Sequence, residues 1–342
     1  MNRPGIAIVL AACGFAITVM PCVLGCSRNA QNVVVVYVSE DQVFSEPILR
    51  DFEKETGIRV QAVYDTEEAK STGVVNRLIA EKNNPQADVY WANEPIRAEL
   101  LRQRGIAATY QSPNAQGIPA HFKDPQGYWT GFSARARVLI VNKSVQDKPK
   151  SISAYADPAF KGKAVIANPL FGTTTTEIAA LFTLWGDDKA KVFLADMKRN
   201  SVQTATSNGE AADFVASGQF AFALADSDDA ANRMTQGKPV EMIYPDQGAD
   251  EPGCFIVPNA VVLINGGPHS EAGKKLVDYL LSRETERKLA QSDAAQIPLH
   301  EGVETPPTVK KIESIKTMKI DYAVVARKMQ EIQQLLKDWA GL

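Results

Sequence analysis

The stretch ALADSDDAANRM, residues 223–234, is an apolar run that closes on Asp226, Asp228 and Asp229. Three carboxylates in four positions are hard oxygen donors, a set suited to a hard metal cation or an organic amine. On an extended strand adjacent side chains point to opposite faces. Asp228 and Asp229 can therefore share a ligand only where the chain has turned, which the helical spacing of DDAANRM permits. Capping that helix is the plainer role for Asp228. A second set lies in NPLFGTTTTEIAALF, where a strand passes through Gly172 into four threonines and an amphipathic helix. Free N–H groups and the hydroxyls of Thr173, Thr174 and Thr175 at that helix start suit an anion. Capping by Thr173 or Thr174 alone is the structural alternative.

These side chains need elements to hold them. NVVVVYVSED reads as a buried strand ending at Glu40 and Asp41, PILRDFEKETGIRV as a helix stopped by Gly57 and then a strand, and together they form a β-α-β unit. STGVVNRLIAEKNNP reads as a helix, ADVYWANE as a strand, RARVLIVNK and KAVIAN as further buried strands. Strand ends collect Glu40, Asp41, Asn93, Glu94, Asn168 and the three aspartates, which predicts one cleft beyond the carboxyl ends of the strands. The apolar segments RARVLIVNK and FIVPNAVVLIN read as two crossings between lobes, hence a hinge. SEAGKKLVDYLLSRETERKLA reads as one long amphipathic helix, and DYAVVARKMQEIQQLLKDWAGL as a helix closing the second lobe. Arg135 and Arg137 alternate on their strand and share a face; pairing with carboxylates is the commoner use of such arginines, holding an anion the rarer one. Tyr90, Trp91 and Trp129 read as core rather than ligand walls. Tyr244 is the tyrosine nearest the aspartates that offers a replacement phenolate.

Composition bounds the class. The 342 residues carry 37 Lys and Arg against 40 Asp and Glu, a net charge of -3, and this mild acidity argues against nucleic acid as a partner. Arg3 precedes the apolar run IAIVLAACGFAITVM and then VLGC, which matches a secretory signal over 1–26 with a lipobox whose Cys26 carries lipid. Cys13 and Cys22 leave with the signal, so Cys254 remains without a disulfide partner and reads as a buried thiol. His121, His269 and His300 are far apart and read as loop or surface residues. FALADSDDA also resembles the D-x-D start of haloacid-dehalogenase-type phosphohydrolases, which would make Asp226 a nucleophile and Asp228 a general acid with magnesium. That motif continues with glycine and then threonine or valine, whereas Asp229 and Ala230 follow here, two thirds of the way along the chain.

Over nearly the whole mature length the sequence resembles the extracellular solute-binding proteins of ABC importers, in the ferric-iron-binding periplasmic branch. The carriers, in order, are EKETGIRV, NPQADVYWANE, ARVLIVNK, FKGKAVIANP, NGEAADFVASGQFAFALADSDDA and PNAVVLINGGPHSEAGKKLVDYLLSRETERKLA. The resemblance implies an α/β, two-lobe type II periplasmic binding protein fold with a hinge of crossing strands and an interlobe ligand cleft. The lobes expected are 33–115 with 259–295, and 116–258 with 296–342. It implies a non-catalytic, monomeric protein, lipid-anchored on the outer or periplasmic side of a membrane, that hands its ligand to permease and ATPase subunits. Ferric iron or another hard cation, with phosphate or carbonate, is the implied ligand. Metal ligands would be Asp41, Glu94, Asp226, Asp228 and Asp229, with Glu40 and Asn93 as neighbours able to substitute; the anion would sit on Thr173, Thr174, Thr175 and Asn208. Where the iron-binding branch has adjacent tyrosines, this sequence has Asp228 and Asp229. The departure leaves an amine-bearing phosphonate as the alternative solute, while polyamines would leave the threonines unexplained.

Overall fold

The computed structural model describes Met1 and residues 32–65 and 72–341. The signal and Cys26 lie outside the described residues.

The chain opens on β1 (Val33–Val38), whose VVVVYV is buried on both faces and therefore suits the interior of a parallel sheet. Helix α1 (Gln42–Thr56) follows and ends on Gly57, at φ +68°, where the N–H closes on Glu53 O; a side chain there would be strained. β2 (Arg59–Tyr64), α2 (Thr72–Ala80), β3 (Val89–Ala92), α3 (Pro95–Gln103) and the short β4 (Ala107–Ala108) complete the first half. β5 (Thr130–Asn142) is a buried 13-residue strand. After it come β6 (Ala164–Ala167), α4 (Gly172–Trp185), α5 (Asp187–Arg199), β7 (Gln203–Ala205), α6 (Asn208–Ala216), β8 (Phe222–Asp226), α7 (Ser227–Thr235) and β9 (Val240–Ile243). β10 (Ile256–Ile264), α8 (Ser270–Leu280), α9 (Arg283–Gln291), α10 (Tyr322–Glu331) and α11 (Gln333–Ala340) end the chain.

The strands run in the order β2-β1-β3-β10-β5-β8-β6-β7, with β4 against β10 and β9 against β5. β5 pairs with β10 through its first half and with β8 and β9 through its second, so this long strand joins the two halves of the sheet. The β5–β10 register shifts once, leaving Ser133 as an extra residue at φ +37°. Glu286 Oε1 accepts its N–H at 2.8 Å, and Asn259 Nδ2 donates to its carbonyl at 2.7 Å. A bulge in a crossing strand breaks the ladder where the lobes join.

Two helices differ from the sequence expectation. The expected long helix after β10 is α8 and α9, because Ser282 turns extended and its hydroxyl accepts Thr285 N–H at 3.1 Å, starting a new helix. The C-terminal helix is likewise divided at Ile332. Its first part, α10, packs on α3 as well as α4. Tyr90, Trp91 and Trp129 belong to the core; Trp91 Nε1 donates to Asn259 at 3.2 Å. His300 lies in a loop but is buried, held by Glu286 at 2.8 Å and Asn114 O at 2.9 Å. Cys254 is a buried free thiol facing Arg137 O at 3.0 Å.

Candidate functional site

The aspartates are placed by the antiparallel pairing of β5 and β8, which sets Arg137 opposite Asp226. Asp226 stands at the N-cap position of α7, yet its carboxylate does not cap the helix. It accepts instead from Arg137 Nη1 at 2.9 Å, Thr173 Oγ1 at 3.0 Å and Asn208 Nδ2 at 3.3 Å. Arg137 is fully buried and also donates to Glu177 at 2.9 Å and to the Thr173 and Thr174 hydroxyls at 3.0 Å. Three of the four residues read as anion ligands thus serve a buried ion pair, since isolated charges of that kind are costly without such bonds. Thr175 is the exception: its buried hydroxyl has no hydrogen-bond partner among the described residues. None of the threonines is the cap, because α4 starts at Gly172 and Phe171 takes that position.

The chain turns helical at Ser227, which resolves the strand problem for Asp228 and Asp229. One oxygen from each of Asp226, Asp228 and Asp229 lies within 4.8 Å of the others. Asp228 Oδ1 accepts Asp229 N–H at 3.0 Å, and Arg233 Nη1 lies 3.6 Å from Asp229 Oδ1. Burial pushes the Asp228 carboxyl up to about 6, against the pull of Arg135 and with the push of Asp226. Burial, then Asp228 and Asp226, push Asp229 up to about 8. Burial also disfavours charge on Asp226, but Arg137 and Arg135 outweigh it and hold that carboxyl below its ordinary value. Such a pattern is that of a cluster short of positive charge on its helical side.

The opposite bank comes from the ends of β1 and β3. Asp41 precedes α1 without capping it, and Glu40 Oε1 accepts from Gln296 Nε2 at 2.8 Å. Glu94, ahead of α3, accepts from Thr176 Oγ1 at 2.6 Å and lies 3.3 Å from Arg97 Nε. Asn93 offers its backbone carbonyl to Arg135. Asp41 faces the aspartate bank closely enough to raise Asp228 and to support the charge of Arg135. Tyr244 is buried under Lys310, 4.5 Å from its ring centre, and burial raises its phenol, so nothing prepares it as a phenolate donor.

Sequence reading missed Thr176, Glu177 and Gln296. Thr173 and Glu177 are four apart and Thr173 and Thr176 three apart, so helical spacing would have put them on one face. Gln296 sits in a loop and carries no such signal.

The profile of the bacterial extracellular solute-binding proteins matches residues 48–317, more than three quarters of the chain. The chain belongs to that family. Like other extracellular solute-binding proteins it works outside the cytoplasm and binds its solute without transforming it. Among relatives of this solute-binding protein, the Synechocystis iron uptake protein A1 is 27% identical over 292 residues, 80% of this chain and 79% of its own. A Salmonella typhimurium protein, provisionally named a 2-aminoethylphosphonate-binding periplasmic protein, is 26% identical over 270 residues, 77% of each. The ferric binding protein of Campylobacter jejuni superposes with a TM-score of 0.81 at 22% identity, covering 90% of this chain and 99% of that one. That likeness establishes the two-lobe type II fold for the solute-binding protein. Buried Asp226, enclosed by Arg137 and Thr173, is also unfit for the nucleophile role of a phosphohydrolase.

Proposed function

We propose that the chain is the receptor of an ABC importer for a hard metal cation, ferric iron foremost. The observation that carries this is the convergence of Asp226, Asp228 and Asp229 oxygens within 4.8 Å. Asp228 and Asp229 are the direct ligands in this reading, Asp226 backs them, and Asp41 approaches from the facing lobe. Relatives named for iron uptake and ferric iron binding support the choice of metal. Glu94 is the weaker candidate, being engaged by Thr176. Of the threonines expected to hold an accompanying phosphate or carbonate, Thr175 is the one whose hydroxyl is uncommitted among the described residues. The lobes 33–115 with 259–295 and 116–258 with 296–342 would close on the ligand and present it, as a monomer anchored through Cys26, to permease and ATPase subunits.

A second reading is an amine-bearing phosphonate. It is favoured by a buried donor that has no hydrogen-bond partner among the described residues, Arg135 Nε, on a side chain 3.9 Å from Asp226, and by the Salmonella relative. The test is the scattering radius and melting temperature of metal-stripped protein with ferric iron, manganese, calcium or aminoethylphosphonate, with and without phosphate or carbonate. Compaction and stabilisation by a metal support the first reading, because only a ligand preferring the closed state can shift it. A response confined to the phosphonate replaces it with the second.

A further inference from the structure

Arg135 rises from β5 between the two acidic banks. Its guanidinium is buried, donates to the Asn93 carbonyl on one side, and lies 3.9 Å from Asp226 Oδ2 on the other. Burial works against its charge, yet Glu40, Asp226, Asp228 and Asp41 together outweigh burial and hold the group protonated. Carboxylates of both lobes therefore face one fixed positive charge.

Arg137 differs. Its charge is answered locally by Asp226 and Glu177, each at 2.9 Å, and by two hydroxyls. Arg135 has a neutral carbonyl, a longer ion pair to Asp226 and an Nε–H without a hydrogen-bond partner among the described residues, and its attraction is divided among Glu40, Asp226, Asp228 and Asp41, so its charge is shared with the cleft. A guanidinium cannot lose its proton in a protein, so this charge is permanent.

We propose that Arg135 is a specificity-determining residue: a resident cation that cancels one carboxylate and thereby limits the charge of the solute the cleft retains. The inference rests on the cation-receptor reading above. A cation seated on Asp228 and Asp229 shares a poorly solvated space with the guanidinium, and Coulomb repulsion grows in proportion to the cation's charge. A trivalent ion is therefore penalised more than a divalent one, and ferric iron in the reading above is retained together with its phosphate or carbonate, which lowers the charge it brings.

The test compares the wild-type protein with Arg135→Gln and Arg135→Lys, titrated with terbium(III) followed by its luminescence and with manganese(II) followed by its paramagnetic resonance. Arg135→Gln should bind terbium(III) at least about tenfold tighter, with a smaller gain for manganese(II), while Arg135→Lys stays close to wild type. Arg135→Met serves the same comparison should the glutamine variant fail to fold. Equal or weaker terbium binding in the neutral variants, or a gain equally present in Arg135→Lys, overturns the inference alone. Absence of cation binding in every variant overturns the cation-receptor reading and this inference with it.

Discussion

Thr176 Oγ1 donates a 2.6 Å hydrogen bond to Glu94 Oε2, joining the first turns of α4 to the end of β3 across the cleft. Both residues are buried, so water does not replace the bond while the lobes stay together. Thr176→Val keeps the shape and removes the donor. It should destabilise the closed form by about 1–2 kcal/mol, since a buried carboxylate loses a partner. Small-angle scattering should then report a larger radius for the ligand-free variant, and Thr176→Ser should restore the wild-type value. An unchanged radius in the valine variant would show that this bond does not hold the lobes.

The aspartate cluster sets opposite pH trends for stability and binding. Folding raises Asp228 to about 6 and Asp229 to about 8, so the folded chain binds more protons than the unfolded one between the ordinary carboxyl range and those values. The associated stability is complete at low pH and is lost as pH rises through about 6 and about 8. For the ligand-free protein this site should therefore raise the melting temperature as pH falls from 8.5 to 5.5. Cation affinity should fall over the same interval, because the metal needs the deprotonated groups. Calorimetry at pH 7 in buffers of different ionisation enthalpy should detect release of about one proton on cation binding, chiefly from Asp229.

Replacing both helical aspartates separates binding from folding. Asp228→Ala with Asp229→Ala should abolish cation-induced compaction while leaving the circular dichroism spectrum intact. At pH 8.5 the ligand-free double variant should melt above wild type, since mutual repulsion has been removed. Retained cation affinity in the double variant would refute the assignment of these residues as ligands.

Arg137 should behave as structure. Arg137→Met leaves Asp226 and Glu177 buried without their cation; Glu177 is already pushed up to about 7 by burial despite Arg137 beside it. The cost should be about 3–5 kcal/mol in urea unfolding at neutral pH. A loss below about 1 kcal/mol would mean that Thr173 and Asn208 satisfy Asp226 unaided and that Glu177 is buried as the neutral acid.

Much of this arrangement was legible in the sequence because it follows from local periodicity. The all-apolar VVVVYV, the glycine-stopped α1 and the polar strand ends announce a parallel sheet with a cleft at its carboxyl edge. The expectation that Arg135 and Arg137 share a face and meet carboxylates follows from the two-residue period of strands. What the sequence withheld was partner choice. Asp226, Asp228 and Asp229 look equivalent along the chain, but cross-strand register buries the first against Arg137 and leaves the other two in the first turn of α7. The threonines likewise looked ready for an anion, and only the approach of β5 and α6 turned three of the expected anion ligands toward a protein charge instead. The break at Ser282 was hidden because apolar spacing continues on both sides of it, and one extended residue is too small a signal to interrupt the pattern.

The four consecutive threonines look like low-complexity sequence, yet their hydroxyls are not interchangeable. Thr173 and Thr174 face the Arg137 ion pair, Thr176 reaches Glu94, and the Thr175 hydroxyl bonds none of these. Each residue gained or lost in a helix rotates everything beyond it by about 100°. A tract one threonine shorter or longer would keep its composition and still hand each hydroxyl the wrong neighbour. The repeat therefore works as a phase mark, and its length is as much a part of the cleft as any carboxylate in it.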